Sequence, residues 1–490
     1  MSNWEPLSRR SFLQISGILG GTLSSGVLHA ESGRTGKPEM QDDEPLDVTR
    51  RLAEYVVGSK WIDIPEPARK EAVRSFFNWV GCAVGGAPHV TVDRALAALA
   101  PFSGKPEATV LGRKERLDIL HAALMNGISS HVLDYDDTHL ETIIHPAGPV
   151  ASAILALAEE QKTSGAELIH AFVLGVETEC RIGKAVYPWH YERGYHITGT
   201  AGIFGAAAAS GKMLGLNEQQ MVWALGISAT QSSGLKEMFG TMCKPFHPGR
   251  AAQDGMTAAL LAAKDFTSSD RGIESDRGFA FVMSGERDFS AITDGLGETF
   301  EVTRNTYKPF ACGIVIHPII DACLQLRNEH QVTADAIERI DLRVNPLVLE
   351  LTGKKTPVTG LESKFSVYHS AAVAIIKGAA GPKEYTDAVV RDPQIISLRD
   401  RVNAVPEEVV AEDEAFATIT LKDGRTLTQH VEHAIGSLER PMSNADLEVK
   451  FRGLADGVLS TEETEKLMSL CWDILSSSDA SEIARASVPA

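Results

Sequence analysis

From Leu46 to Asp265 apolar side chains recur at three- and four-residue spacing, as in Val48, Leu52, Tyr55 and Val56, then Ala72, Phe76, Phe77 and Val80. That period predicts helices with one face against a core. The run Ala108-Thr-Val-Leu-Gly-Arg-Lys-Glu-Arg-Leu breaks it and reads as a small hairpin turning at Gly112, after which the helical period resumes through His121, Ala122 and Leu124. Two stretches, Val150 to Ala158 and Gly199 to Ser210, are rich in small residues that let helices approach closely around a central one. Gly199, Gly202 and Gly205 have GxxGxxG spacing with no strand before them, which fits helix packing better than a phosphate loop.

Past residue 303 the pattern changes. Ile337-Glu-Arg-Ile-Asp-Leu-Arg-Val and the run from Ala417 to Val431 alternate like strands, the second with an Asp-Gly turn, and helical periodicity returns in Asp446 to Phe451 and Thr461 to Leu475. The predicted fold is mainly α: a large all-helical domain from residues 45–303 and 441–490, and a smaller α+β domain over 304–440.

Composition narrows the class. The chain has 490 residues, 43% hydrophobic and 23% charged, which fits a folded globular protein and excludes disordered, collagenous and coiled-coil chains. Lys plus Arg total 47 against 65 Asp plus Glu, 47 − 65 = −18, a balance that repels phosphate backbones and anionic lipid and argues against nucleic-acid or membrane partners. The six cysteines form no CxxC pair or dense framework, so Cys243 and Cys312, though beside the motifs below, read as small buried hydrophobes.

The N-terminus resembles a twin-arginine export signal: Arg9 and Arg10, then Phe12-Leu13, a weakly hydrophobic Gly/Ser-rich stretch and a small residue at Ala30. The expectation is a signal peptide over 1–30, a disordered leader over 31–44, the twin-arginine translocase as a transient partner, and a periplasmic mature protein with no membrane association.

Chemistry concentrates in His131-Val-Leu-Asp-Tyr-Asp-Asp-Thr-His-Leu-Glu-Thr-Ile-Ile-His-Pro-Ala-Gly, which sets Asp134, Asp136, Asp137, Thr138, His139 and His145 at a helix end. A calcium loop is excluded because His139 and His145 stand where Gly and Glu are required. Asp136-Asp137-Thr138-His139-Leu140-Glu141 superficially matches an aspartate-rich magnesium motif, but no second such motif accompanies it. Three more clusters set cations beside Pro or Gly: Tyr195-His196-Ile-Thr-Gly-Thr, Lys244-Pro-Phe-His247-Pro-Gly-Arg250, and Tyr307-Lys308-Pro-Phe-Ala-Cys-Gly with the later His317-Pro318. Such punctuation puts charged side chains at loop–helix junctions, where helix N-terminal N–H groups help bind anions.

These motifs resemble the MmgE/PrpD family, which contains 2-methylcitrate dehydratases and cis-aconitate decarboxylases, over about Leu46 to Leu475. The resemblance implies a helical domain with an α+β lid, a site between them, a homodimer, and no metal or organic cofactor. Position by position, it puts Asp134, Thr138, His145, His196, Lys244, Lys308 and Tyr368 in the pocket. The chain departs from the pattern in its export signal and in a segment from Thr138 to His145 one residue longer than in the decarboxylases.

The residue types suit the chemistry. Dehydrating a hydroxy tricarboxylic acid, or decarboxylating an unsaturated one, builds negative charge beside a carboxylate, which fixed cations stabilise. Lys244 and Lys308 fit that role, and His145 or His196 can move the proton, with Asp134 favouring the imidazolium. Asp134 and Thr138 would orient these groups. Arg250 and His247 are candidates to clamp a distal carboxylate, with helix-end packing as the equal alternative. The expectation is an exported lyase on a small di- or tricarboxylic acid. An epimerase or isomerase on the same scaffold, or a periplasmic carboxylate-binding protein without catalysis, are the alternatives.

Overall fold

The computed structural model describes residues 47–490. The expected signal peptide over 1–30 and leader over 31–44 lie outside these residues. Among the described residues the chain forms 21 α-helices and short sheets, a mainly α fold with a smaller α+β portion.

The helical body is built around the helix Ile197–Met213, whose residues 197–211 are all buried. Its glycines act by close packing: a Cβ on Gly202 would clash with Pro149, and one on Gly205 with the Gly175 carbonyl. Side chains punctuate the surrounding helices. Asp118 accepts the Leu120 and His121 N–H groups at the start of Ile119–Val132, and Ser164 with Glu167 forms a capping box for Gly165–Val186. The Ala108–Thr109 and Arg116–Leu117 strands make the expected hairpin, with Gly112 at φ 73°.

Two further helices, Asn444–Ala455 and Thr461–Trp472, return to this body. Phe77, on the helix Glu66–Gly86, lies 4.8 Å from the Phe451 ring and stacks on Trp472 at 4.1 Å.

The sheet-bearing portion has four strands in the order Val402–Pro406, Ile337–Val344, Ala415–Leu421, Thr426–Val431. The first pair is parallel and the others antiparallel. Ala415–Leu421 alternates buried and half-buried, as its sequence predicts, and turns at Gly424 with φ 88°. Helices His317–His330 and Val367–Lys377 bury Ile319, Leu326 and Val373 against Ile340, Leu342 and Ile419. The parallel strand Val402–Pro406 is not evident in the sequence: it is five residues long, contains Asn and Pro, and exists because Ile337–Val344 offers it an edge.

Two joints fix the site. Thr138–His139 pairs antiparallel with Asn305–Thr306, fastening the acidic loop to the start of the sheet-bearing portion. The helices Ile119–Val132 and Cys243–Ala262 cross at Gly127 and Gly249, where a methyl on Gly127 would lie 2.7 Å from the Gly249 nitrogen. That close crossing brings His131 and Lys244 into contact. Gly127→Ala should therefore cost about 1–3 kcal/mol through overpacking and reduce activity together with the thermal midpoint, measured by calorimetry and turnover on the same sample; a variant with unchanged midpoint would show the crossing is not tight.

Candidate active site

The helix Ile119–Val132 ends at Leu133, and the next residue, Asp134, takes a left-handed backbone at φ 51°. This turn aims its carboxylate back into the interior. Lys244 Nζ donates to Asp134 Oδ1 at 2.9 Å, and Lys308 Nζ donates to the same oxygen at 2.8 Å and to the Asp134 carbonyl at 3.2 Å. All three side chains are buried. Burial pushes the Asp134 carboxyl up, but the two ammoniums outweigh it and hold the group well below the carboxylate range. Burial also lowers Lys244.

Asp134, His145, His196, Lys244 and Lys308 line a cavity whose walls also include Tyr191, Ile143, Phe239, Val315, Leu351 and Phe365. The space a water molecule can occupy at its centre is about 30 Å³. Ile143 is itself left-handed, φ 57°, a strained state for a β-branched residue of the kind that collects at functional sites. Helices Ala147–Glu160, Ile197–Met213 and Cys243–Ala262 begin within two residues of His145, at His196 and next to Lys244, so three positive helix ends meet here.

Hydrogen bonds fix the histidine tautomers. Lys244 is a donor only, so His131 Nε2 accepts its proton at 2.8 Å, which places the ring proton on Nδ1, donated to Asp136 Oδ2 at 2.7 Å. His145 Nδ1 donates to the Asp137 carbonyl at 2.7 Å, leaving Nε2 as the free nitrogen. His196 and His247 share one proton between their Nδ1 atoms, 2.8 Å apart. Burial first, and then the neighbouring lysines, keep His145 and His196 neutral, with both values well below the usual one. Asp136 opposes this at His145 without reversing it. Asp134 attracts a charged His145 as expected, but burial and the two lysines outweigh that pull and the imidazole stays neutral.

Asp137 lies behind the loop, where its carboxylate accepts from Ser75 Oγ at 2.7 Å and Asn305 Nδ2 at 2.6 Å. Burial and the Asp136 charge raise it to about 7.

Of the residues the sequence singled out, Asp134, His145, His196, Lys244 and Lys308 converge on the cavity. Thr138 stands behind them, its Oγ1 3.3 Å from His145 Nδ1. His247 reaches the site only through His196. Arg250 does not: it pairs with Asp254 at 2.9 Å, one helical turn on, with its side chain 46% exposed. Tyr368 does not line the cavity either. It belongs to the core of the sheet-bearing portion, and from its segment Phe365 supplies the wall. The sequence did not point to Phe239, Phe365, Lys364 or Lys450, and it named His131 and Asp136 without giving them a role. His131 lies three residues before Asp134 and shares its helix-end segment, a spacing that could have flagged it.

His131, His145 and His196 bring ring nitrogens within 4.8 Å of one another, one of four such donor clusters among the described residues. The set fits a metal poorly: both His131 nitrogens are engaged, and the Lys244 ammonium stands where a cation would sit. Two lysines, three helix ends and neutral imidazoles make this an anion site.

Residues 50–292 match the MmgE/PrpD N-terminal domain and residues 310–474 the MmgE/PrpD C-terminal domain. The chain belongs to the MmgE/PrpD family. It is 27% identical to the cis-aconitate decarboxylase of Mus musculus, over 89% of this chain and 93% of that protein. It is 29% identical to that of Homo sapiens, over 78% and 82%. To the 2-methylcitrate dehydratase of Escherichia coli O157:H7 it is 22% identical, over 77% and 80%. Decarboxylases and dehydratases are both lyases, and this MmgE/PrpD chain is a lyase. In it, Asp134→Asn would strand two buried ammoniums, at a cost of about 3–5 kcal/mol. Urea unfolding of the variant measures this, and a loss under 1 kcal/mol would mean that the lysines are held by something other than Asp134.

Proposed function

We propose that this MmgE/PrpD protein is a carboxy-lyase that decarboxylates an unsaturated tricarboxylic acid of the cis-aconitate type. The observation that carries this reading is the mixed lining of the cavity: Lys244 and Lys308 share Asp134, Lys244 Nζ stands 5.3 Å from the Phe239 ring and 5.5 Å from the Phe365 ring, and Ile143, Val315 and Leu351 complete an uncharged wall. Each ammonium has three donors and spends one on Asp134 Oδ1, with Lys244 giving another to His131 and Lys308 another to a carbonyl. The donors that remain suit the carboxylates a substrate retains. A third carboxylate placed against Ile143, Val315 and Leu351 would be desolvated, which favours its departure as neutral CO2.

The electrons balance as follows. The C–C bond to the departing carboxylate breaks, and its pair forms a new C=C bond. The former π pair moves to a carbon next to a retained carboxylate, where the lysines stabilise the charge. His145 Nε2–H then delivers a proton to that carbon. Each turnover releases one CO2 and consumes one proton.

In the free site His145 is neutral. A bound polyanion reverses the local potential and lets Nε2 take up the proton that the reaction needs. Small-molecule sites run from roughly 300 Å³ upward, so a central space of about 30 Å³ must open for substrate. Phe239 and Phe365, stacked at 5.4 Å, are the wall that separates.

Two results test the reading. Incubation of residues 31–490 with cis-aconitate should give equal CO2 release and proton uptake, at least 10²-fold slower in His145→Ala, as expected when a positioned acid–base group is removed. Addition of water to give a hydroxy tricarboxylate, with no CO2 and no proton uptake, would make the protein a hydro-lyase instead, and solvent deuterium exchange alone an isomerase. The proton donor must be charged, so activity falls as pH rises. Because the polyanion raises the His145 value, the limb in kcat should lie at higher pH than the limb in kcat/KM, which belongs below the usual histidine range. Coincident limbs would contradict substrate-coupled protonation.

A further inference from the structure

Two more lysines, distant in the chain, are buried beside the cavity without lining it: Lys364 is 4% exposed and Lys450 6%. Lys364 precedes the helix Val367–Lys377 of the sheet-bearing portion, and Lys450 lies on the helix Asn444–Ala455, which packs on the helical body. The partners of both are backbone carbonyls. Lys364 Nζ donates to the Leu133 carbonyl at 2.7 Å and the Ala311 carbonyl at 3.1 Å. Lys450 Nζ donates to the Tyr135 carbonyl at 2.6 Å and the Lys308 carbonyl at 2.9 Å, and lies 4.0 Å over the Tyr135 ring.

The four acceptors form a pattern. Leu133 and Tyr135 flank Asp134 on either side, while Lys308 and Ala311 bound the segment that carries the second anion-site lysine. Each clamp therefore joins the same two segments, one clamp at each end.

Fold stability does not account for lysine here. Burying a cation without a carboxylate costs several kcal/mol, and apolar residues of similar volume commonly serve a core as well or better. A methionine would fill the space but could not tie two carbonyls on separate segments. We propose that Lys364 and Lys450 are positioning residues, ammonium clamps that lock the left-handed Asp134 against the Lys308 segment and so set the spacing of the two-lysine anion site.

Burial lowers both amines to about 8, so they are charged at neutral pH. The groups facing Lys364 are Asp134 and Cys312, which favour its charge, and Lys308 and Lys244, which oppose it. Those facing Lys450 are Cys82, Asp136 and Asp137 on one side of the balance and Lys308 on the other.

The inference takes its assay substrate from the proposed function, but its structural arm stands apart from it. Hydrogen–deuterium exchange of Lys364→Met and Lys450→Met should rise in peptides covering 133–146 and 305–313 and nowhere else, with thermal midpoints close to wild type. Exchange equal to wild type in those peptides would overturn the clamp whatever the reaction proves to be. In turnover, each variant should lose about 10²-fold in kcat, the scale of a reacting group displaced by about 1 Å. Propylammonium should restore part of it to Lys450→Ala, while 1-propanol, which fills the same volume without charge, should not. Equal rescue by the alcohol would reduce Lys450 to packing. If the alanine variant fails to fold, the methionine variants decide the matter, and wild-type kcat in both would refute the proposal. Failure of the wild type on every tricarboxylate would sink the reaction and leave the exchange result standing.

Discussion

The site depends on a single carboxylate oxygen. Asp134 Oδ1 accepts from Lys244 at 2.9 Å and Lys308 at 2.8 Å, and both ammoniums are held in a buried cavity where neither would be stable alone. With one negative and two positive charges, the cluster carries a net positive charge that a polyanion can neutralise. Burial and this charge keep the nearby imidazoles neutral, and in the proposed reaction the charge on His145 is a consequence of binding.

The fold is organised to bring these groups together from far apart in the chain. Asp134 comes from the end of one helix, Lys244 from the start of another, and Lys308 from the segment entering the sheet-bearing portion. Glycines at a helix crossing and a two-residue strand pair hold these segments together, and the proposed role of the two buried lysines at carbonyls is to set their spacing. None of these contributes an atom to the reaction.

The sequence carried much of this. Helical periodicity, the alternation of Ala415–Leu421 and the Asp-Gly turn sufficed for the fold class, because those signals are local. Asp134, His145, His196, Lys244 and Lys308 were legible because each stands in a motif too polar, and too marked by Pro and Gly, for simple packing. Other features were set by tertiary partners. Val402–Pro406 becomes a strand only against its neighbour. Lys364 and Lys450 look like ordinary lysines until their carbonyl acceptors are known. Tyr368 was misplaced because the chain turns Phe365, three residues earlier, toward the cavity. Arg250 had a closer claimant: Asp254, four residues on, was visible in the sequence as a helical ion-pair partner.

The central claim is that burial, reinforced by the two-lysine cluster, keeps His145 neutral until a polyanion arrives. Nitrogen-15 NMR of the histidine rings, recorded at neutral pH with and without the unreactive saturated analogue tricarballylate, tests it most directly. The account predicts that His145 is a neutral Nδ1–H imidazole in the free protein and becomes doubly protonated in the complex. A His145 ring that is already charged in the free protein, or that stays neutral when the site is saturated, would contradict it.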